Sequence, residues 1–356
     1  MRVLHLPQNI ASLPSHSVRG LRQIGVNASS LMISNAPVQS AEGLKVISPR
    51  TNRSIDRRLA KWNWFRQFLA EAIRANVIHW YYGRSVMFGG LDLAWIAALH
   101  KPALVEWMGS DIRNPEVEFA DNPYYAQAYR AGYEYASTEG EDNSRRAQTR
   151  FTRAGFAFGA DRGLFQYVIQ DLHPGVHVIP RRIVLEDYEP VYPSLNQTVP
   201  LILHSPTAPV AKGTSAVLRA VEVAQSMYPF EFRLVQGMPH DQAMKLMERA
   251  DIILDQFVLG DYGMATLEAM AYGKPVICYI KKSLADLYGP ELPVVNATQE
   301  TLAETLLSLL RNARQRQELG RLGRAYVQQH ADMKVIAPRM VEVYQGLIAK
   351  SGSTHV

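Results

Sequence analysis

The chain has 356 residues, 47% of them hydrophobic and 20% charged, which suits about two domains with real cores and excludes a disordered chain. Its one cysteine, Cys278 in the apolar run PVICYI, excludes an internal disulfide, fits a reducing compartment and is expected as a small buried strand residue. The net charge of +5 is local: between Pro49 and Arg74 seven basic residues meet two acidic ones, so the remainder is balanced, which excludes a general nucleic-acid coat.

The opening MRVLHLPQN turns polar too soon for a signal peptide, and no window approaches the ~18 apolar residues of a spanning helix. A soluble, cytoplasmic protein is expected, resting at most on the inner face of a membrane. MRVLHL reads as a strand, VRGLRQIG as a helix closed by Gly25, and SSLMIS as a second strand. NVIHWYY and PALVEWM are strands around the helical DLAWIAALH, and FAFGA and VHVIP close this half. PVYPSLNQTVP (190–200) has three prolines and no helical period, which marks a linker. A second alternation follows: LILHSP, FEFRLVQG, DIILDQF, PVICYI and LPVVN as strands, TSAVLRAVEVAQSM, HDQAMKLMERA and MATLEAMAYG as helices. The end is helical: TLAETLLSLLRN, ARQRQELGRLGRAYVQQH and VIAPRMVEVYQGLIAK. The expected fold is α/β: two Rossmann-like domains, 1–189 and 201–334, joined by 190–200 and followed by a helix and tail over 335–356.

That architecture does not select a function. Neither LHLPQNIASLP nor LHSPTAPVAKG supplies the Gly-x-Gly-x-x-Gly turn of a dehydrogenase, and no Walker-type loop is present. No Cys/His cluster has zinc-ligand spacing, and there is no Asp-x-Asp, so no metal site is expected.

DQFVLGDYGMATLEAMAYGKPVICYI (255–280) carries the most chemistry. A strand ends at Phe257, a loop with Gly263 follows, and a helix begins near Met264, whose exposed N–H groups suit a diphosphate. Glu268, about one turn in, is placed to accept hydrogen bonds from ribose hydroxyls; on spacing alone, a solvated surface acid is as good an account. Residues 267–276, LEAMAYGKPV, resemble the nucleotide-sugar signature of family 4 and related retaining glycosyltransferases of the GT-B fold at every fixed position. The resemblance implies that Glu268 binds the donor ribose, that the preceding loop approaches the diphosphate, and that the last helix, around 335–349, crosses back to the first domain. LILHSPTAPVAKGTSAVLRAV (201–221) resembles the opening of the same enzymes' second domain, which makes Lys212 the cation facing the departing diphosphate and Gly213 the point of close approach.

VIHWYYGRS (77–85) and VEWMGSDIR (105–113) resemble, more loosely, that family's acceptor-domain strands, which makes His79, Asp111 and Arg113 candidates. His79 in an apolar strand is equally well a core histidine. Arg181 and Arg182, after VHVIP, are candidates for the diphosphate or the acceptor, although a solvated pair is the simpler account. Two places depart from the family: Met108 stands where a histidine is usual, and Gly260 where a sugar-contacting glutamate is usual, with Asp261 beside it as a substitute.

In RTNRSIDRRLAKWNWFRQFLAEAIR (50–74), Leu59, Trp62, Phe65, Leu69 and Ile73 form a helical stripe expected to face the core. Trp64 and Phe68 then fall among Arg57, Arg58 and Lys61, a face suited to an anionic membrane, or an ordinary solvated face. The whole implies a retaining, metal-independent glycosyltransferase, with no cofactor beyond its nucleotide-sugar co-substrate and no nucleic-acid partner. Its acceptor would be a glycan, a lipid-linked molecule or a protein. The alternatives are a nucleotide-sugar epimerase of the same fold and a non-catalytic nucleotide-sugar-binding protein, the latter because of Met108 and Gly260.

Overall fold

The apolar runs form two parallel sheets, whose central strands are buried on both faces. The first holds β1 (Arg2–Leu6), β2 (Asn27–Ser30), β3 (Val77–Tyr81), β4 (Ala103–Glu106), β5 (Ala157–Ala160) and β6 (Val176–Val178) in the order β2-β1-β3-β4-β5-β6. The second holds β7 (Leu201–His204), β8 (Glu231–Leu234), β9 (Ile252–Leu254), β10 (Val276–Cys278) and β11 (Val295–Asn296) in the order β11-β10-β9-β7-β8. Cys278 is buried in β10. The computed structural model describes residues 1–173 and 175–353 and divides the chain into two compact units. One comprises Met1–Asn114, Thr138–Val184 and the stretch from Met333; the other comprises Pro115–Ser137 and Leu185–Asp332. Among the described residues no helix is long and apolar enough to cross a membrane.

The final helix, Met333–Ser353, belongs to the first unit. Met333, Ile336, Ala337, Met340 and Tyr344 recur at helical spacing and pack on Val3, Val18, Leu21, Val77 and Leu104. Three local outcomes differ from the sequence expectation. The second strand stops at Ser30, and Met32 makes an isolated bridge with Val46. The stretch 114–155, where no element was expected, contains helices Pro115–Phe119, Pro123–Arg130 and Glu141–Arg153. The first two belong to the second unit although they lie between two strands of the first sheet.

The third difference is a correction to helix Ser54–Arg74, which is rotated about its axis from the expected orientation, so that of the expected stripe only Phe65 is buried. Ala60, Trp64, Phe65, Phe68 and Ala72 are buried, whereas Leu59, Trp62 and Ile73 are 60%, 59% and 55% exposed. Both stripes have helical period, so spacing could not choose between them. The buried one is the better core: Trp64 stacks on Phe68 with centroids 5.1 Å apart, and its indole N–H donates to Leu31 O at 2.9 Å.

The interior of the first unit holds a polar network that strand register assembles. His5 pairs with His79 and Tyr81 with Glu106, on the sheet face that the last helix covers. Arg182 donates to both Glu106 oxygens, at 2.8 and 2.7 Å, and to Ser17 Oγ at 2.7 Å. His79 Nε2 lies 2.9 Å from Glu106 Oε2, and its Nδ1 lies 2.6 Å from the Tyr344 hydroxyl. Burial alone would raise the Glu106 carboxyl, but the Arg182 charge and the bonds from His79 and Arg182 outweigh it and hold the group at about 2. Glu106→Gln leaves the Arg182 guanidinium buried without its counter-charge, and urea unfolding at neutral pH should show a loss of about 3–5 kcal/mol. Because the folded-state value lies below the ordinary 4.5, the stabilisation is complete above it and fades as pH falls toward 2. The gap between wild type and variant should therefore narrow on acidification.

Candidate donor site

In the second unit the chain leaves β7, makes the short helical turn Pro209–Lys212, and enters helix Thr214–Gln225 through Gly213. Gly213 has φ +72°, and a Cβ there would lie 3.0 Å from Phe257 Cβ, so both conformation and space require glycine. Lys212 Nζ donates to Asp255 Oδ1 and to Gln256 Oε1, both at 2.8 Å. Asp255 follows β9, is buried, and with its second oxygen accepts from Gly263 N at 2.8 Å and Thr266 Oγ1 at 2.7 Å. One carboxylate thus joins the lysine to the start of helix Met264–Ala271. Burial would raise the Asp255 carboxyl, but the Lys212 charge and these hydrogen bonds bring it below the ordinary value.

A Cβ on Gly263 would lie 2.9 Å from Lys212 Nζ, so the ammonium sits directly over the helix entrance. The N–H groups of Met264 and Ala265 belong to the first turn, which has no intrahelical acceptors. An ammonium beside the positive end of a helix is a place for an anion. Lys212 keeps 16% of its side chain accessible in spite of its two partners. Glu268, one turn in, is 7% exposed, and its Oε1 lies 3.2 Å from His240 Nε2. Burial lowers the His240 value, but the Glu268 bond and charge outweigh it and raise the group, favouring the charged ring.

Lys212, Gly213, Gly263 and Met264 are therefore gathered around Asp255, with Glu268 a turn further on. Asp255, Gln256, Thr266 and His240 were missed from sequence. The one sequence signal was the polar Asp-Gln pair closing the apolar run DIIL, since strand ends are where parallel sheets place their ligands. Asp261 directs Oδ1 to Tyr262 N at 2.8 Å and accepts from the Tyr288 hydroxyl at 2.9 Å, bonds that shape its own loop. Gly260 has φ +71°, and a Cβ there would lie 2.8 Å from Asn122 Nδ2 and 3.0 Å from Lys281 Cβ. Its missing side chain is a packing requirement.

The first-unit candidates fall into separate groups. His79 and Arg182 are wholly buried in the network around Glu106, so their expected roles toward sugar, diphosphate or acceptor are withdrawn. The physical reason is that the register carries Glu106 beneath them and the last helix covers them. Asp111 sits beyond β4 and accepts N–H bonds from Met108 and Gly109 at 2.9 Å and from Gly83 at 2.7 Å, tying the loops after β3 and β4 together. Burial pushes its carboxyl up to about 6 against those bonds. Arg113 pairs with Glu139, and Arg181 lies 3.7 Å from Asp161.

Residues 223–326 match the family model described as glycosyl transferases group 1. None of the curated proteins matches the chain. Among solved structures, sucrose-phosphate synthase from Thermosynechococcus elongatus superposes with a TM-score of 0.67 at 15% identity, covering 98% of this chain and 100% of that one. WaaG, a glycosyltransferase involved in lipopolysaccharide biosynthesis, gives 0.58 at 13% identity, covering 97% and 100%. Anabaena HepE in complex with UDP and glucose gives 0.56 at 16% identity, with the same coverage. Such identities carry the fold, which is GT-B, and the match of residues 223–326 to glycosyl transferases group 1 supports a glycosyltransferase as the activity class.

Proposed function

We propose that the chain transfers a sugar from a nucleotide sugar to an acceptor hydroxyl, and that the donor binds in the second unit at Lys212, Gly213, Gly263, Met264 and Glu268. The observation that carries this is the Asp255 bridge, which holds an accessible ammonium over a helix start with a carboxylate one turn beyond. Nucleotides in similar folds, such as the UDP in the HepE complex, agree with that use. In the reaction the acceptor oxygen bonds to the anomeric carbon on the face from which the diphosphate departs, the bond from that carbon to the diphosphate oxygen breaks, and the acceptor proton passes to the departing diphosphate. Negative charge grows on the diphosphate, where Lys212 and the helix-start N–H groups oppose it. Glu268 accepts hydrogen bonds from the ribose. Transfer proceeds with retention and needs no divalent metal, because the neutralising charge comes from the chain.

Glu268→Ala should weaken nucleotide binding by about 1–3 kcal/mol through unmatched ribose hydroxyls. Lys212→Ala should weaken it more at low salt than at high salt, since the lost partner is a charge. Calorimetry giving wild-type affinity in both variants, with unchanged circular dichroism, would remove the site. Turnover should survive EDTA; a complete loss restored by Mg²⁺ would contradict the metal-free assignment.

A second proposal concerns the acceptor side. Ile55, Leu59, Trp62 and Ile73 line the outer face of helix Ser54–Arg74, each more than half exposed, among Arg57, Arg58, Lys61, Arg66 and Arg74. Apolar tips among cations suit an anionic lipid surface, which would serve a lipid-linked acceptor. Trp64 and Phe68, buried, take no part. Sedimentation should show binding to anionic but not neutral vesicles. Arg57→Glu with Arg58→Glu should reduce it by roughly ten-fold or more, at about 1 kcal/mol per cation, and Trp62→Ala should reduce it as well. Wild type that stays off anionic vesicles at low salt would reject the proposal and favour a soluble glycan or protein as acceptor.

A further inference from the structure

Residues 115–137 leave the first unit's strand series and pack with the second unit, against both loops of the donor site. Tyr125, Ala128 and Tyr133 form a buried cluster with Ala208, Ala211 and Val258. The two carboxylate oxygens of Glu134 accept the N–H groups of Val210 and Ala211, at 2.8 and 2.9 Å, in the turn that ends at Lys212. At the other end, Asn122 Nδ2 donates to Val258 O at 2.9 Å and to Glu118 Oε2 at 3.1 Å. Glu118 Oε1 lies 2.6 Å from Lys281 Nζ, and Lys281 N donates to Gly260 O at 2.9 Å. Asn122, Glu118 and Lys281 are all buried, and Asn122 occupies the space a side chain at 260 would need.

We propose that this segment is the positioning element of the diphosphate subsite, with Glu134 setting the Lys212 turn and Asn122 with Glu118 setting the 258–263 loop. The inference rests on the donor site proposed above. Asp255 fixes the lysine head, but a lysine side chain is long, and the backbone from which it starts must also be fixed. Glu134 does this with two charge-assisted hydrogen bonds to consecutive N–H groups. Because the segment touches the turn and the loop, and Glu268 stands on the helix beyond them, its influence falls on the diphosphate rather than on the ribose.

Glu134 is exposed as a residue, so its variants should fold. Wild type is first titrated with UDP, GDP, ADP and dTDP; binding of none of them would remove the donor site itself, a result distinct from any below. For the diphosphate that binds, Glu134→Ala should lose roughly ten-fold in affinity while the matching nucleoside, followed by NMR titration, binds as to wild type. Glu134→Gln, which keeps one acceptor oxygen, should recover part of the loss. An equal loss for diphosphate and nucleoside would make Glu134 merely structural and overturn the proposal. Wild-type diphosphate affinity in Glu134→Ala would overturn it as well. A gain in affinity would show that the carboxylate competes with phosphate for those N–H groups, the opposite of the role assigned here.

Discussion

The Asp255 carboxylate is the contact on which the proposed donor site depends. It is buried, and it is satisfied by an ammonium, a backbone N–H and a hydroxyl from two separate stretches of chain. Without it, Lys212 keeps only its bond to Gln256, and helix Met264–Ala271 loses the acceptor at its entrance. The cost of burying the carboxylate is offset by these partners, which hold it ionised. A lysine already neutralised by one carboxylate is a weaker anion receptor than a free one. The helix-start N–H groups are therefore an equal part of the site.

The buried charge cluster of the first sheet has a different purpose. Arg182, Glu106, His79 and Tyr344 connect the first sheet to the last helix, and every described partner lies inside the same unit. Arg182 and Lys212 are both cations in contact with a buried carboxylate, but Arg182 is wholly buried whereas Lys212 retains access to solvent. Accessibility, and not charge or pairing, separates this structural ion pair from the one proposed to bind a ligand.

The arrangement proposed as the donor site was legible in sequence because its residues are local. A glycine before a helix, a glutamate one turn in and a glycine after it lie within about a dozen residues, and LEAMAYGKPV displays them in order. What was not legible depended on register or on chain reversal. His79 and Arg182 resemble functional residues until register places Glu106 beneath them. The stripe of Leu59, Trp62 and Ile73 has the same period as that of Ala60, Trp64 and Phe68, and only the partner surface decides which is buried. Residues 115–137 could not be assigned to the second unit from their position, because the contacts that hold them there, such as Glu134 to Val210 N and Asn122 to Val258 O, span 76 and 136 residues. Gly260 stood out as a departure from a resembling family, and its cause, the approach of Asn122 and Lys281, became visible only in three dimensions.

The central claim is that the second unit binds a nucleotide through its diphosphate. A thermal-shift screen of the wild-type protein against UDP, GDP, ADP and dTDP and their sugars tests it most directly, because ligand that binds only the folded state stabilises it by about 2.7 kcal/mol at a hundred-fold excess over Kd. The account predicts that the nucleotides of one base raise the unfolding temperature by several degrees, and that raising the salt reduces the shift. Unfolding temperatures that no nucleotide changes at millimolar concentration, in low salt, would contradict it.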